Sequence, residues 1–460
     1  MVLVVATLAW GALAFGGNYP WAFWPLAAAA VGCGAIGLLL PSTSPRLPGL
    51  AIVLWLAAVA ATMLLQVIPL PLGLLTSVSP QASRVLAELD LALATGAIPT
   101  HAISIAPAAT LTAVALFGAF VVMMLGLARA LSTTGARWLA GSVAVLGATI
   151  ALIGIIQQPL YSGKIYGIWT PLMGGMPFGP FVNRNHFAGW MLMALPLTLG
   201  LLCAVVTRAL ERVEPDWRHR ILWLSTPDAS RALLLGAAAL VMALSLVLTM
   251  SRSGMLALAI TLAVTGWWVV RRLPSTSTRI AAAVYLVGLT LLVVVWGGAD
   301  TIAARFSTAS PDTVSARLPI WRDTLPIVRD FWLTGTGLNT YGVATLVYRT
   351  SLHGLHLREA HNDYLQLAAE GGLLVGIPIA GALVMFAILV RRRFRGSSGS
   401  SYWTRAGAVM GIIAIAVQAT VEFSLQMPGN AVLFAVLCAI ALHRDRRATT
   451  NARRPPLHVR

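Results

Sequence analysis

"AATLTAVALFGAFVVMMLGLA", residues 108–128, is twenty-one residues long and carries no charged side chain. Such a stretch has no polar face to turn toward water. In a bilayer a helix satisfies its own backbone hydrogen bonds, and about 20 apolar residues cross the hydrocarbon. The same texture recurs along all 460 residues, of which 58% are hydrophobic and only 10% charged, with a mean hydropathy of +0.81. A soluble domain carries about 25% charge. The sequence therefore predicts an all-α polytopic membrane protein.

Twelve spans are expected, at 2–17, 21–40, 49–68, 108–128, 138–157, 187–207, 232–250, 254–270, 280–297, 372–390, 406–424 and 428–443. The first and last are short for a crossing of about 20 residues. The opening "MVLVVATLAWGALAFGG" lacks a basic leader, so it reads as a retained helix and not as a cleaved signal. With the N-terminus in the cytoplasm, the inner segments hold 22 basic and 5 acidic residues, against 10 and 10 outside. The whole formal charge of +17 then falls inside, as the positive-inside bias requires. Both termini are expected in the cytoplasm. The runs "RRRFR" (391–395) and the tail 444–460 read as topology anchors, and no nucleic-acid-binding pattern is present. Cys33, Cys203 and Cys438 all fall inside spans, which excludes a disulfide framework or a cysteine metal cluster.

The chain reads as one integral membrane domain, 1–460, with long outer segments at 69–107, 158–186 and 298–371. The first looks amphipathic and interfacial. The last, before span ten, is long enough to be functional. Within it Leu318, Trp321, Leu325 and Val328 stand at helical spacing and predict a helix lying on the membrane surface.

The unusual polar residues all lie on the outer side. Arg184 and His186 stand in "NRNHFAGW", Arg252 in the four-residue turn "SRSG", and His361, Asn362 and Asp363 just before span ten. Ionisable groups at a membrane boundary are costly unless they snorkel or find a partner. Arg252 is either a snorkelling anchor or an anion ligand; Arg184 either pairs with a carboxylate or joins Arg252 in clamping a phosphate. Asn362 suits a helix cap, with Asp363 at the positive end. His361 precedes the cap, where an imidazole can face the outer compartment and take a proton. Glu370 is nine residues on, at the opposite face of a continuous helix, so a simple dyad with His361 is not expected. His353 and His356 have no closing ligands at metal-site spacing, and no metal is expected. The sequence also has no Asp-x-Asp, no phosphate-binding Gly-Lys-Ser/Thr loop and no Gly-x-Ser-x-Gly elbow, which argues against ATP-driven transport and serine hydrolysis.

"NRNHFAGWM", "SRSG", "IWRDTLPIVRDFWLTGTGLNTYG" and "HNDYLQLAAEGGLLVG", in that order and over essentially the whole chain, resemble the O-antigen ligase/polymerase superfamily. The resemblance implies a glycosyltransferase of the bacterial inner membrane, with its active site in the periplasm and the large loop 298–371 carrying part of it; with no paired-carboxylate site the reaction is expected to need no metal or cofactor, and attack opposite the leaving phosphate to invert the anomeric carbon. The implied donor is a glycan on undecaprenyl pyrophosphate. In the ligase branch the acceptor is a hydroxyl of lipid A–core; other branches extend a lipid-linked glycan or modify protein hydroxyls. The family's pyrophosphate-binding arginines fall on Arg184 and Arg252, and its essential histidine on His361. His186, Arg317, Arg322 and Asn362 are further candidate substrate contacts. The competing class is a non-enzymatic lipid-glycan transporter, which would line a path through the membrane with polar groups; few stand mid-span here.

Overall fold

The computed structural model describes residues 1–39, 47–172, 175–210, 225–272, 279–280, 283–288, 314–350, 357–397 and 399–444. Most of span nine, the tail beyond residue 444, and His353 and His356 lie outside the described residues.

The chain begins with α1 (Val2–Leu13), α2 (Pro20–Leu39) and α3 (Leu50–Leu65). Two short strands, β1 (Pro69–Pro71) and β2 (Thr100–Ala102), then pair antiparallel, Pro69 opposite Ala102. Between them lie α4 (Leu72–Val78), α5 (Pro80–Leu89) and α6 (Leu91–Ala94). The long helices α7 (Pro107–Ala130), α8 (Thr133–Leu160), α9 (Arg184–Leu210), α10 (Pro227–Leu248) and α11 (Arg252–Arg272) follow. After them come α12 (Val314–Asp330) and α13 (Tyr341–Tyr348), and then α14 (Asp363–Arg395), α15 (Gly399–Gln418) and α16 (Pro428–Leu442).

Six of these, α2, α7, α8, α9, α10 and α14, are long and apolar enough to cross a membrane. Four shorter apolar helices, α1, α3, residues Arg252–Val264 of α11, and α16, accompany them. The architecture is that of a polytopic helical membrane protein. One expected boundary needs correction. Span eleven was read through residue 424, but α15 ends at Gln418, and the chain turns through a corner with a single 3₁₀ turn, Ser424–Gln426, before α16. Val421 and Phe423 gave that corner its apolar look in the sequence, while Glu422 and Ser424, each next to Phe423, are buried polar groups.

Helix α9 is the central post, and most of its apolar window is buried. Its Gly200 faces Gly407 of α15, and a Cβ on either would come within 2.5 Å of a backbone oxygen opposite, of Trp403 or of Pro196. Small residues let the two backbones approach closely, the usual basis of helix association in lipid. At one end of the bundle Arg405, fully buried, donates to the carbonyls of Ala441 (3.0 Å), His443 (2.8 Å) and Arg393 (3.2 Å). It thereby satisfies carbonyls that two helix C-termini leave open. Arg129, Arg208 and Arg393 stand in the last turns of their helices.

The other end carries the loops. Residues 69–107 pack with the later loop. Leu75, Val85, Leu86 and Ile103 share one apolar core with Ile320, Ile327, Phe331 and Tyr341 of the later loop. Helix α12 buries Ile320 and Ile327, with Phe331 just beyond its end, while Leu318 and Leu325 of the stripe expected at the membrane surface stay exposed. Gln66 ties this body to the bundle: its Nε2 donates to the carbonyls of Thr334 (2.8 Å) and Glu370 (2.9 Å).

Candidate active site

The approach to α14 is held from both sides. Ala360 donates its N–H to Gln366 Oε1 (2.9 Å), and its carbonyl accepts from Trp321 Nε1 (2.9 Å). Two residues later the Asn362 side chain accepts from the N–H groups of Tyr364 (3.1 Å) and Leu365 (3.0 Å) and caps α14. Asp363 donates its N–H to Ala419 O (2.9 Å), and Gln426 Nε2 reaches its carboxyl at 2.7 Å. His361 sits between these fixed points at φ +51°. A non-glycine residue in this region costs free energy and persists where its surroundings over-determine it. The expected cap is thus present, and Asn362→Ala should lower unfolding stability by about 1 kcal/mol, read as a lower melting temperature of the purified protein.

The His361 ring is 31% exposed, and its Nδ1 lies 3.4 Å from Oε2 of Glu422, whose side chain is 0% exposed. The other carboxylate oxygen of Glu422 accepts from Asn185 Nδ2 (2.7 Å) and from Arg317. Burial alone would push the Glu422 carboxyl up. The hydrogen bond with His361 and the charge of Arg317 outweigh it, and the group is held below the usual carboxylate range. Phe423, the next residue, meets the His361 ring edge-on at 4.9 Å and the His186 ring at 4.6 Å. His186 is buried, and its Nε2 has no hydrogen-bond partner among the described residues.

Arg184 and Arg252 occupy equivalent positions on two helices. Asn183 Oδ1 accepts from Asn185 N (2.8 Å), so Arg184 is the first residue after a capping side chain. Ser251 Oγ accepts from Gly254 N (3.2 Å), which gives Arg252 the same place on α11. The two helix starts touch: a Cβ on Gly254 would lie 2.8 Å from Cβ of Ala188, one turn below Arg184. Helix N-termini carry partial positive charge and suit anions. Each of these two helix starts carries an arginine.

The structure therefore gathers Arg184, His186, Arg317, His361 and Asn362 at one end of the bundle, with Arg252 on the adjoining helix start. It leaves Arg322 out: that residue is exposed and stands five positions beyond Arg317, about 140° round the helix. Glu370 is not a partner of His361, as expected; its carboxyl group accepts from the N–H groups of Asn339 (2.9 Å) and Tyr341 (2.8 Å). Asn185 and Glu422 were missed. The available signal was sparse composition: between Glu370 and the end of the chain only Glu422 and Asp445 are acidic. Among the described residues no group of three or more His, Cys, Asp or Glu could hold a metal ion.

Residues 237–380 match a family model described as O-antigen ligase. The matched segment contains Arg252, Arg317 and His361; Arg184 and Glu422 lie outside it. No curated protein matches the chain.

Proposed function

We propose that this chain, whose segment 237–380 belongs to the O-antigen ligase superfamily, transfers a glycan from undecaprenyl pyrophosphate to a hydroxyl of lipid A–core. The observation that carries this reading is the link from a partly exposed imidazole, His361, through Glu422 to Asn185, the neighbour of Arg184 at the start of α9, against which the start of α11 with Arg252 packs. A polyprenyl pyrophosphate is already a leaving group on the anomeric carbon. What remains is to stabilise its charge and to take a proton from the acceptor. Arg184 and Arg252 serve the first need with forked, permanently charged donors. His361 serves the second as general base. Attack opposite the departing phosphate inverts the anomeric carbon. None of these roles calls for a metal. The basic end, with Arg129, Arg208, Arg393 and Arg405, faces the cytoplasm in this reading, and the loop end faces the periplasm of the inner membrane.

The test is a transfer assay with purified protein, a defined undecaprenyl-pyrophosphate glycan as donor and lipid A–core as acceptor, run in EDTA. A new lipid A–core glycan of inverted linkage is the expected product. Elongation of the donor glycan instead would assign the polymerase reaction. A requirement for a divalent ion would overturn the metal-free mechanism and turn attention to His353 and His356.

A further inference from the structure

We propose that Glu422 is the positioning residue for His361: it fixes the imidazole so that Nδ1 carries the ring proton and Nε2 is the basic nitrogen offered to the acceptor. This rests on the base role proposed for His361 above.

The inference follows from counting donors and acceptors. An ionised carboxylate only accepts, and a guanidinium only donates. One oxygen of Glu422 is taken by Arg317 and by Asn185 Nδ2 at 2.7 Å. The other oxygen is left for the His361 ring, whose Nδ1 stands 3.4 Å away. A neutral imidazole can satisfy that oxygen only by donating from Nδ1. Its second nitrogen is then unprotonated by necessity. The backbone removes the remaining freedom, since Ala360 is bound at both its N–H and its carbonyl, and Asn362 is the helix cap.

The carboxylate is itself held. Glu422 lies in the corner between α15 and α16, is fully buried, and has donors from three separate parts of the chain: α9, α12 and the entry to α14. A counter-ion meant only for Arg317 would not need His361. In the reaction, a lone pair of the acceptor oxygen forms the bond to the anomeric carbon, and the acceptor proton passes to Nε2. The carbon–oxygen bond to phosphorus-bound oxygen breaks, its electron pair leaving with the pyrophosphate. The imidazolium so formed faces Glu422, whose charge stabilises it, and later gives its proton to solvent from its exposed side.

Glu422→Gln separates positioning from simple packing. The amide has the same shape, and its oxygen remains with Arg317, which can only donate, and with the NH₂ of Asn185. Its NH₂ then turns to His361, Nδ1 must accept, and the ring proton moves to Nε2. The comparable swap behind a catalytic histidine costs up to about 10⁴-fold in turnover through the wrong tautomer. The experiment uses full-length protein with ¹⁵N-labelled histidine in lipid nanodiscs under alkaline conditions, with the His361 signals assigned by their loss in His361→Ala. Wild type should show the Nδ1–H tautomer and Glu422→Gln the Nε2–H tautomer. At saturating donor the variant should lose about 10²-fold or more in turnover, with donor affinity changed by less than about threefold. An Nε2–H tautomer in wild type would overturn the proposal even if the variant failed to fold. So would a folded variant that keeps wild-type turnover. If the wild-type protein transferred glycan to no acceptor, the functional reading would fail, while the wild-type tautomer would still decide the role of Glu422.

Discussion

His361→Ala is expected to lower glycan transfer by about 10²–10⁴-fold, the usual worth of general-base help, while leaving donor binding intact. The argument is geometric before it is chemical. His361 stands outside α14, one residue before its cap, at φ +51°. Its backbone is held by Trp321, Gln366 and the cap, and its ring by Glu422 and Phe423. One nitrogen faces buried Glu422, and the ring is 31% exposed. The arginines proposed for the pyrophosphate are on α9 and α11, not on the element that carries His361. Removing the imidazole should therefore strip proton transfer from the reaction without stripping the anion site. The decisive comparison is turnover at saturating donor against donor affinity, measured on one preparation of the variant. Normal turnover would dismiss the base role. Loss confined to donor binding would reassign His361 to the phosphate site.

The sequence made the membrane helices legible for a simple reason. A charge-free run such as 108–128 has few alternatives in a bilayer, and α7 spans Pro107–Ala130. The Asn362 cap was legible for the same local reason, because a cap and its partners are neighbours in sequence. What could not be read was anything that depends on return of the chain. Glu422 is 61 residues from His361, and only the lengths of α14 and α15 bring it back. Its neighbours Val421 and Phe423 are apolar, so the corner passed for the end of a span. The face that α12 turns to the core was not legible, because its partners Leu75, Val85 and Ile103 come from a loop more than 200 residues earlier. Arg184 and Arg252 were noticed as costly residues. That each follows a helix cap, on helices that touch at Ala188 and Gly254, required the fold.

Glu370→Ala is the second large expected effect, and it should fall on stability instead of chemistry. In the sequence Glu370 is a carboxylate near a candidate base, and its removal would look like a catalytic lesion. In the structure it is a knot. Its carboxyl group accepts from the N–H groups of Asn339 at 2.9 Å and Tyr341 at 2.8 Å, and Gln366 Nε2 lies 3.2 Å from it. Its carbonyl accepts from Gly337 N at 3.0 Å and from Gln66 Nε2 at 2.9 Å. The turn 334–342 is thereby fastened to α14 and, through Gln66, to α3. Gly335 passes so close to the Glu370 carbonyl, at φ +67°, that a Cβ there would collide with backbone. Truncating Glu370 leaves the buried Tyr341 N–H without its acceptor, worth about 1–3 kcal/mol, and gives up the partly buried bond from Asn339 as well. The expected loss is thus at least about 1–3 kcal/mol, a sizeable share of what a fold of ordinary stability can lose. Thermal unfolding in detergent should show it directly. Glu370→Gln keeps one acceptor oxygen and should fall between wild type and Ala. Turnover per folded molecule should stay close to wild type in the Gln variant, since His361 and Glu422 do not depend on that carboxyl group for any hydrogen bond. A Glu370→Gln protein that melts like wild type but transfers no glycan would place Glu370 in the chemistry and refute its structural assignment.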